Sequence, residues 1–373
     1  MLLIKNANVY SPAPLGLRDI LICAGRIIEL REGIDYSLPQ LTVLDAGGKR
    51  VLPGFIDQHV HCIGGGGEDG FASRVPELDI RDCIGAGVTT LCGLLGTDRH
   101  TRSLHALLAK VRALTLEGIT AYCLTGSYEY PSVTLTGEVG EDICLIPEVL
   151  GVKIALSDHR CSYPTVQELT RLASEVRIAS LTAKKPGVVH IHVGSGKEGI
   201  AAVFEIVERT DIPVRHFRPT HMCRHLDQAA QLARMGGYPD LTSGEGVETA
   251  LLQLMECAPF GQVTLSSDSN GSAPIWNEKK EMVGMGVGRM TTLYETVRAL
   301  IGKGVPLERA ILPITETVAK ALELYPRKGA IAPGSDADLV FLNDDLSIDT
   351  VLAKGQVMMK EGDILATGYY ASL

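Results

Sequence analysis

The stretch Pro53-Gly54-Phe55-Ile56-Asp57-Gln58-His59-Val60-His61-Cys62-Ile63-Gly64-Gly65-Gly66-Gly67-Glu68 decides how the rest of the chain is read. It is an apolar, strand-like run that breaks into glycines, the profile of a strand ending at a loop. Side chains at i and i+2 of a strand point the same way. His59 and His61 therefore share one face and can hold one cation between them. Cys62 points the other way and is expected in the core.

To either side of this stretch the texture differs. Residues 3–9, 19–23, 26–30 and 42–45 alternate apolar and polar side chains between turn signals, as short antiparallel strands do. The tail returns to that style at 338–342, 348–353 and 356–360. Both termini are expected to build one small β-sandwich domain, residues 1–53 and 330–373. In between, short apolar runs at 54–61, 88–94, 119–124, 152–156, 188–193, 214–219, 241–243 and 263–267 alternate with helical patterns. Examples of the latter are 103–116, 167–182, 197–209, 226–235 and 292–301. Eight such units predict an α/β fold, a (β/α)8 TIM-like barrel over 54–329. A doubly wound sheet is the alternative. It wants GxGxxG opening a helix, and Gly64 to Gly67 has neither the spacing nor the helix start.

Composition narrows the function. The 373 residues are 45% apolar, enough for a full core, and 35 basic against 44 acidic side chains leave a net charge of −9. With no basic block, nucleic acid is not expected as a partner. Apolar runs are short and interrupted, so no membrane span is expected. The start lacks a basic segment and a cleavage site, so no signal peptide is expected. Nine cysteines, odd in number and without CxxC spacing, suit reduced thiols and a cytoplasmic location.

In a parallel barrel, reactive groups gather at strand C-terminal ends. His59 and His61 end strand one, Lys153 lies on strand four, His190 and His192 on strand five, His221 ends strand six and Asp268 strand eight. Imidazoles and carboxylates suit a borderline cation such as zinc. His190 and His192 share a face and either could be the ligand; His192 is favoured because it is nearer the strand end. A protonated Lys153 would repel cations. A neutral amine can instead react with carbon dioxide, and the resulting carbamate offers two anionic oxygens that can bridge two metals. The plain reading of Lys153 is a lysine paired with an acid.

Six segments carry a resemblance: residues 53–68 quoted above, GLLGTD (93–98), TGSYEYPS (125–132), GVKIALSDHR (151–160), PTHMCR (219–224) and TLSSDSNGS (264–272). Together they resemble the amidohydrolase superfamily, and within it the isoaspartyl (β-aspartyl) dipeptidase branch. HxH is common to the superfamily, whereas the glycine-rich HVHxIGGGGE and GVKxAxSDHR stretches are specific to the branch. The resemblance implies two zinc ions bridged by carbamylated Lys153. His59, His61 and Asp268 would hold one, and His192 and His221 the other. It also implies homo-oligomers and hydrolysis of isoaspartyl dipeptides by a hydroxide shared between the metals. Asp268 would move the proton as general base and acid, and Tyr128 would steady the oxyanion. Strand seven, ending Thr242-Ser243-Gly244-Glu245, departs from the family pattern.

An isoaspartyl dipeptide carries one ammonium and two carboxylates. Glu68 suits the ammonium, and Arg160 and Arg224 suit carboxylates, which guanidinium binds bidentately. Thr97 and Ser272 can add hydroxyls, and Gly66 and Gly67 backbone groups. A cyclic-amide hydrolase of the dihydropyrimidinase or dihydroorotase kind is the alternative, with less use for Glu68. The glycine-containing stretch 274–288 is a candidate lid.

Overall fold

The computed structural model describes residues 1–276 and 282–369. The N-terminal segment forms β1 (Leu2–Tyr10), β2 (Pro14–Cys23), β3 (Arg26–Arg31), β4 (Thr42–Asp45) and β5 (Arg50–Pro53). Then come β6 (Phe55–Val60), β7 (Val88–Gly93), β8 (Thr120–Gly126), β9 (Val149–Leu156), β10 (Val188–Val193), β11 (Phe217–Thr220), β12 (Asp240–Thr242) and β13 (Thr264–Ser266). A ribbon of β14 (Ser272–Trp276) and β15 (Met282–Val287) follows, and the chain ends in β16 (Leu339–Leu342), β17 (Ile348–Ala353), β18 (Gln356–Lys360) and β19 (Asp363–Ile364).

The two chain ends meet. Their strands make one hydrogen-bonded sheet in the order β19-β18-β17-β16-β5-β1-β2-β3, with β4 also on β1. The seam is β5 against β16, where Leu52 faces Val340 and Val51 faces Phe341. Not every pairing is antiparallel: β4 and β5 lie parallel to β1, one along residues 2–5 and the other at 8–9. The break between them falls at Gly47 and Gly48, both with positive φ. Ile4, Val9, Ile20, Val51, Leu339 and Phe341 form this part's own apolar core.

All eight predicted strands of the middle segment are present. Six of them, β6 to β11 in chain order, run parallel in one sheet, and β12 and β13 form a parallel pair. The sheet is curled, and the chain just after β13 of the separate pair lies beside its first strand, β6. Val60 bridges Ser269 in parallel, and His61 N–H donates to Ser269 O at 2.8 Å. Every residue of β6, β7, β9, β10 and β11 is buried. That is the signature of parallel strands covered on both faces. Strand six begins at Phe217, later than expected, because 214–216 after Pro213 form a 3-10 turn.

Helices α1 (Ile80–Gly85), α2 (Leu104–Leu116), α3 (Val139–Leu145), α4 (Val166–Ala183), α5 (Ala201–Arg209), α6 (Leu226–Arg234), α7 (Val247–Cys257), α8 (Thr292–Gly302), α9 (Leu307–Ala310) and α10 (Glu316–Ala321) alternate with or follow the strands. α4 starts where Thr165 and Glu168 cap each other's backbone N–H groups. α5 starts later than the expected residue 197, beyond Gly199 at φ +54°. No described helix is long and apolar enough to cross a membrane. Of the candidate lid, 274–276 and 282–287 belong to the β14–β15 ribbon, and 277–281 lie outside the described residues.

Candidate active site

The C-terminal ends of the parallel strands surround a cavity of about 1020 Å³. His61, Gly66, Glu68, Thr97, Tyr128, Arg160, His192, His221, Arg224, Asp268 and Ser272 all line it. Of the site residues expected from sequence, His59 and Lys153 lie beneath the surface, fully buried. Gly67 does not line the cavity; its N–H faces Ser73 O at 3.3 Å and Ser73 Oγ at 3.2 Å. Gly66 itself must be glycine: φ is +75°, and a Cβ would stand 2.3 Å from Ser73 O.

Asp268 is the centre. Its Oδ1 lies 3.2 Å from His59 Nε2 and 3.0 Å from His61 Nε2, and its Oδ2 lies 4.0 Å from His221 Nε2. These ligand atoms of His59, His61 and Asp268 fall within 4.8 Å of one another. Yet His59 Nε2, His221 Nε2 and Asp268 Oδ1 are buried without a hydrogen-bond partner among the described residues. Burial holds the His59 and His221 imidazoles well below their ordinary range, so their ring lone pairs are free of protons. Buried lone pairs facing each other unprotonated are costly unless a cation sits among them. The donor set fits a metal, and deprotonated imidazole and carboxylate are what a metal requires.

The backbone holds this arrangement under strain. His221 (φ +64°) and Asp268 (φ +55°) both adopt the left-handed conformation, each just past the end of its strand. Gly271 leaves room for Asp268, since a Cβ there would meet Asp268 Oδ1 at 2.6 Å.

Among the described residues Lys153 has no acid on it: its Nζ meets His190 Nδ1 at 3.1 Å, and burial pushes the ammonium down to about 7. The plain reading of a lysine paired with a carboxylate is therefore not what the structure holds. His190 is fully buried, its ring edge-on to that of His59 with centroids 4.9 Å apart.

His192 is held at both nitrogens. Nδ1 meets Tyr128 Oη at 2.7 Å, and Nε2 meets Asp158 Oδ2 at 2.9 Å. Burial lowers the imidazole most, and with Asp158 pulling the other way it settles at about 3. Burial drives the Asp158 carboxyl up, but hydrogen bonds from His192 and Arg160 outweigh it and hold it far below the usual range. Arg160 grips Asp158 through Nε at 2.9 Å and Nη2 at 3.1 Å and reaches Glu68 Oε1 at 3.2 Å. Glu68 also accepts from the Ser272 hydroxyl. Glu68 and Arg160, expected to clamp opposite charges of a ligand, are thus paired with each other. Arg224 donates to Val193 O at 3.2 Å from the cavity rim.

Sequence reasoning missed the groups behind the expected ligands. Asp158 orients His192, and Thr242 Oγ1 sits 2.6 Å from His221 Nδ1. Asp240 accepts from Thr220, Gln58, Thr264 and Ser266, tying four strands together, and Thr220 Oγ1 is 3.4 Å from His59 Nδ1. Asp57 takes Ser267 Oγ and N–H, fixing the strand that carries His59 to the loop that carries Asp268. Such partners fix ring orientation and tautomer. Asp158, Asp57, Gln58, Thr220, Thr264, Ser266 and Ser267 lie inside the quoted segments but carried no ligand-like spacing of their own, and Asp240 lies outside them.

The family model described as "Amidohydrolase family" matches residues 50–358. The chain is an amidohydrolase. A β-aspartyl dipeptidase from Fervidobacterium islandicum AW-1, solved in complex with β-Asp-Leu dipeptide, is 41% identical to this amidohydrolase. It matches with a TM-score of 0.92 over 97% of this chain and 98% of that one. A second structure from the same organism gives 40% and 0.90. By this likeness the amidohydrolase belongs to the β-aspartyl dipeptidase branch, and it is a hydrolase. L-hydantoinase of Paenarthrobacter aurescens is 24% identical over 95% of this chain and 87% of its own length. A solved D-hydantoinase, at 17% identity and a TM-score of 0.66, shares the fold.

Proposed function

We propose that this amidohydrolase hydrolyses isoaspartyl (β-aspartyl) dipeptides with two zinc ions. The observation that carries the substrate is the likeness, over 97% of the chain, to the F. islandicum enzyme in complex with β-Asp-Leu. The curled parallel sheet and two-stranded pair are read as a closed (β/α)8 barrel over 54–329. The terminal sheet, folded around its own core, is read as a sandwich domain of 1–53 and 330–373. Homo-oligomers rest on the family resemblance, and a cytoplasmic location on nine unbridged cysteines.

His59, His61 and Asp268 would hold one ion, His192 and His221 the other, and carbamylated Lys153 both. When bound, the ions would supply Lewis-acid polarisation of the scissile carbonyl and would acidify the attacking water. The protein's own groups do the rest. Asp268 Oδ takes the proton from the attacking water and passes it to the leaving nitrogen. Tyr128 Oη, buried at the cavity wall, donates to the developing oxyanion. The α-carbon of the aspartyl unit bears an ammonium and a carboxylate side by side. The Arg160–Glu68 pair is its complement: the ligand carboxylate replaces Glu68 on Arg160, and the freed Glu68 takes the ammonium. Arg224 is left for the terminal carboxylate, with Thr97, Ser272 and the Gly66 backbone at the margin.

The test is a kinetic panel of β-Asp-Leu, α-Asp-Leu, hydantoin and dihydroorotate, run on metal-loaded protein and after chelation. Turnover of the β-linked dipeptide is expected to exceed the others by about 100-fold or more, because mismatched ligands leave buried charges unpaired. Faster turnover of hydantoin or dihydroorotate would establish the cyclic-amide reading in its place, and chelated protein as active as loaded protein would remove the metals.

A further inference from the structure

His190 is a buried histidine next to the proposed ligands that the ligand set leaves out. It lies opposite Lys153 in the parallel register of β9 and β10, which brings its Nδ1 to 3.1 Å from Nζ. Among the described residues no carboxylate hydrogen-bonds to that amine. A ring nitrogen can accept from Nζ only if the imidazole proton is on Nε2, and His190 Nε2 makes no other hydrogen bond among those residues.

The chemistry at Lys153 makes that acceptor matter. The neutral amine has two N–H groups and one lone pair. The lone pair attacks the carbon of carbon dioxide and forms an N–C bond. One C–O π pair moves onto oxygen, and one N–H proton leaves to a base in solution. The carbamate that results keeps a single N–H. Its C–N bond has amide character and is planar, so whatever fixes that N–H also fixes the plane of the two carbamate oxygens. Resting on the proposed carbamate at Lys153, we propose that His190 is its positioning residue: Nδ1 accepts the one remaining N–H and so aims the carboxylate at the cations it is to bridge. A residue that merely filled the barrel interior would have no such effect on metal uptake.

The experiment starts from protein stripped of metal and carbon dioxide, reloaded with zinc over a range of ¹³C-bicarbonate concentrations. Two readouts are taken, the carbamate ¹³C resonance and the zinc bound per chain. His190→Val, which removes the acceptor, is expected to need about 10-fold or more bicarbonate for half-loading, the scale seen when a ligand loses its support. His190→Asn keeps an acceptor oxygen and is expected to recover most of that loss. His190→Leu replaces the valine variant if thermal unfolding shows the latter to be unfolded. Uptake of label and zinc by the acceptor-free variant at the wild-type bicarbonate concentration would overturn the role, as would an asparagine variant as impaired as the valine one. Wild-type protein that binds full zinc with no carbamate resonance overturns the carbamate itself, and this role with it.

Discussion

Two buried lysines divide the molecule. Lys328, at the joint of the terminal sheet, lies 3.0 Å from Asp336, contacts Asp338, and donates to Thr120 at 2.7 Å. Lys153, on β9, is as deeply buried, and among the described residues its hydrogen bond goes to an imidazole rather than a carboxylate. The first is a charge solved by pairing, as elsewhere in that sheet, where Lys5 pairs with Asp19 and Lys49 with Asp349. The second is left unsolved, beside Asp268, His59, His61 and His221, each with a buried polar atom that lacks a hydrogen bond among the described residues. Where a fold needs only stability, buried charge is neutralised within the protein. Where it leaves charge and lone pairs open, the missing partner comes from outside.

The largest effects should follow this division. Lys153→Ala is expected to cut turnover of β-Asp-Leu by more than about 1,000-fold, beyond the roughly 10- to 100-fold loss from a residue that only supports a ligand. Bound zinc should fall with it while thermal unfolding changes little. Lys328→Met should do the reverse, leaving the buried Asp338 carboxylate without its cation, while Asp336 keeps Arg327 at 3.1 Å, at a cost of about 3–5 kcal/mol with zinc content unchanged. Metal analysis beside calorimetry reads both, and a Lys328 variant that loses zinc would erase the contrast.

Next comes Asp268→Asn. Its kcat should drop by about 100- to 10,000-fold, the range for a lost proton carrier, with the fold retained. A kcat near wild type would take the proton transfer away from Asp268. Arg224→Ala sharpens the picture at the rim. Removing one charge-assisted bond, worth about 1.5–3 kcal/mol, should raise KM for β-aspartyl dipeptides by roughly 10- to 100-fold. An unchanged KM would put Arg224 outside the pocket. The smallest expected change is Thr242→Val, which deletes the oxygen on His221 Nδ1 and should weaken zinc retention about 10-fold. Competition with a chelator measures it, and equal retention would leave Thr242 with only a packing role.

How far the site could be read depended on whether a residue lies in a local pattern. His59 and His61 announce themselves by i, i+2 spacing before a glycine loop, and the eight strands by apolar runs between helices. The closing of the chain ends into one sheet was legible because both ends share a strand texture. The parallel placement of β4 and β5 was not, since residues 42–53 carry no mark of which strand they join. Asp158 and Thr242 act only because strands far apart in sequence bring them against His192 and His221. The same holds for the pairing of Glu68 with Arg160, 92 residues apart. Each looked available to a ligand when seen alone.

The sequence by itself determined the order of elements, the ends at which chemistry gathers and the ligand types, because periodicity and side-chain chemistry are local properties. Only the tertiary structure decided which charges are answered and which stay open. Whether a buried lysine finds a carboxylate or an imidazole depends on the neighbouring strand's register, and one residue of slip along β10 would have turned His190 away from Lys153.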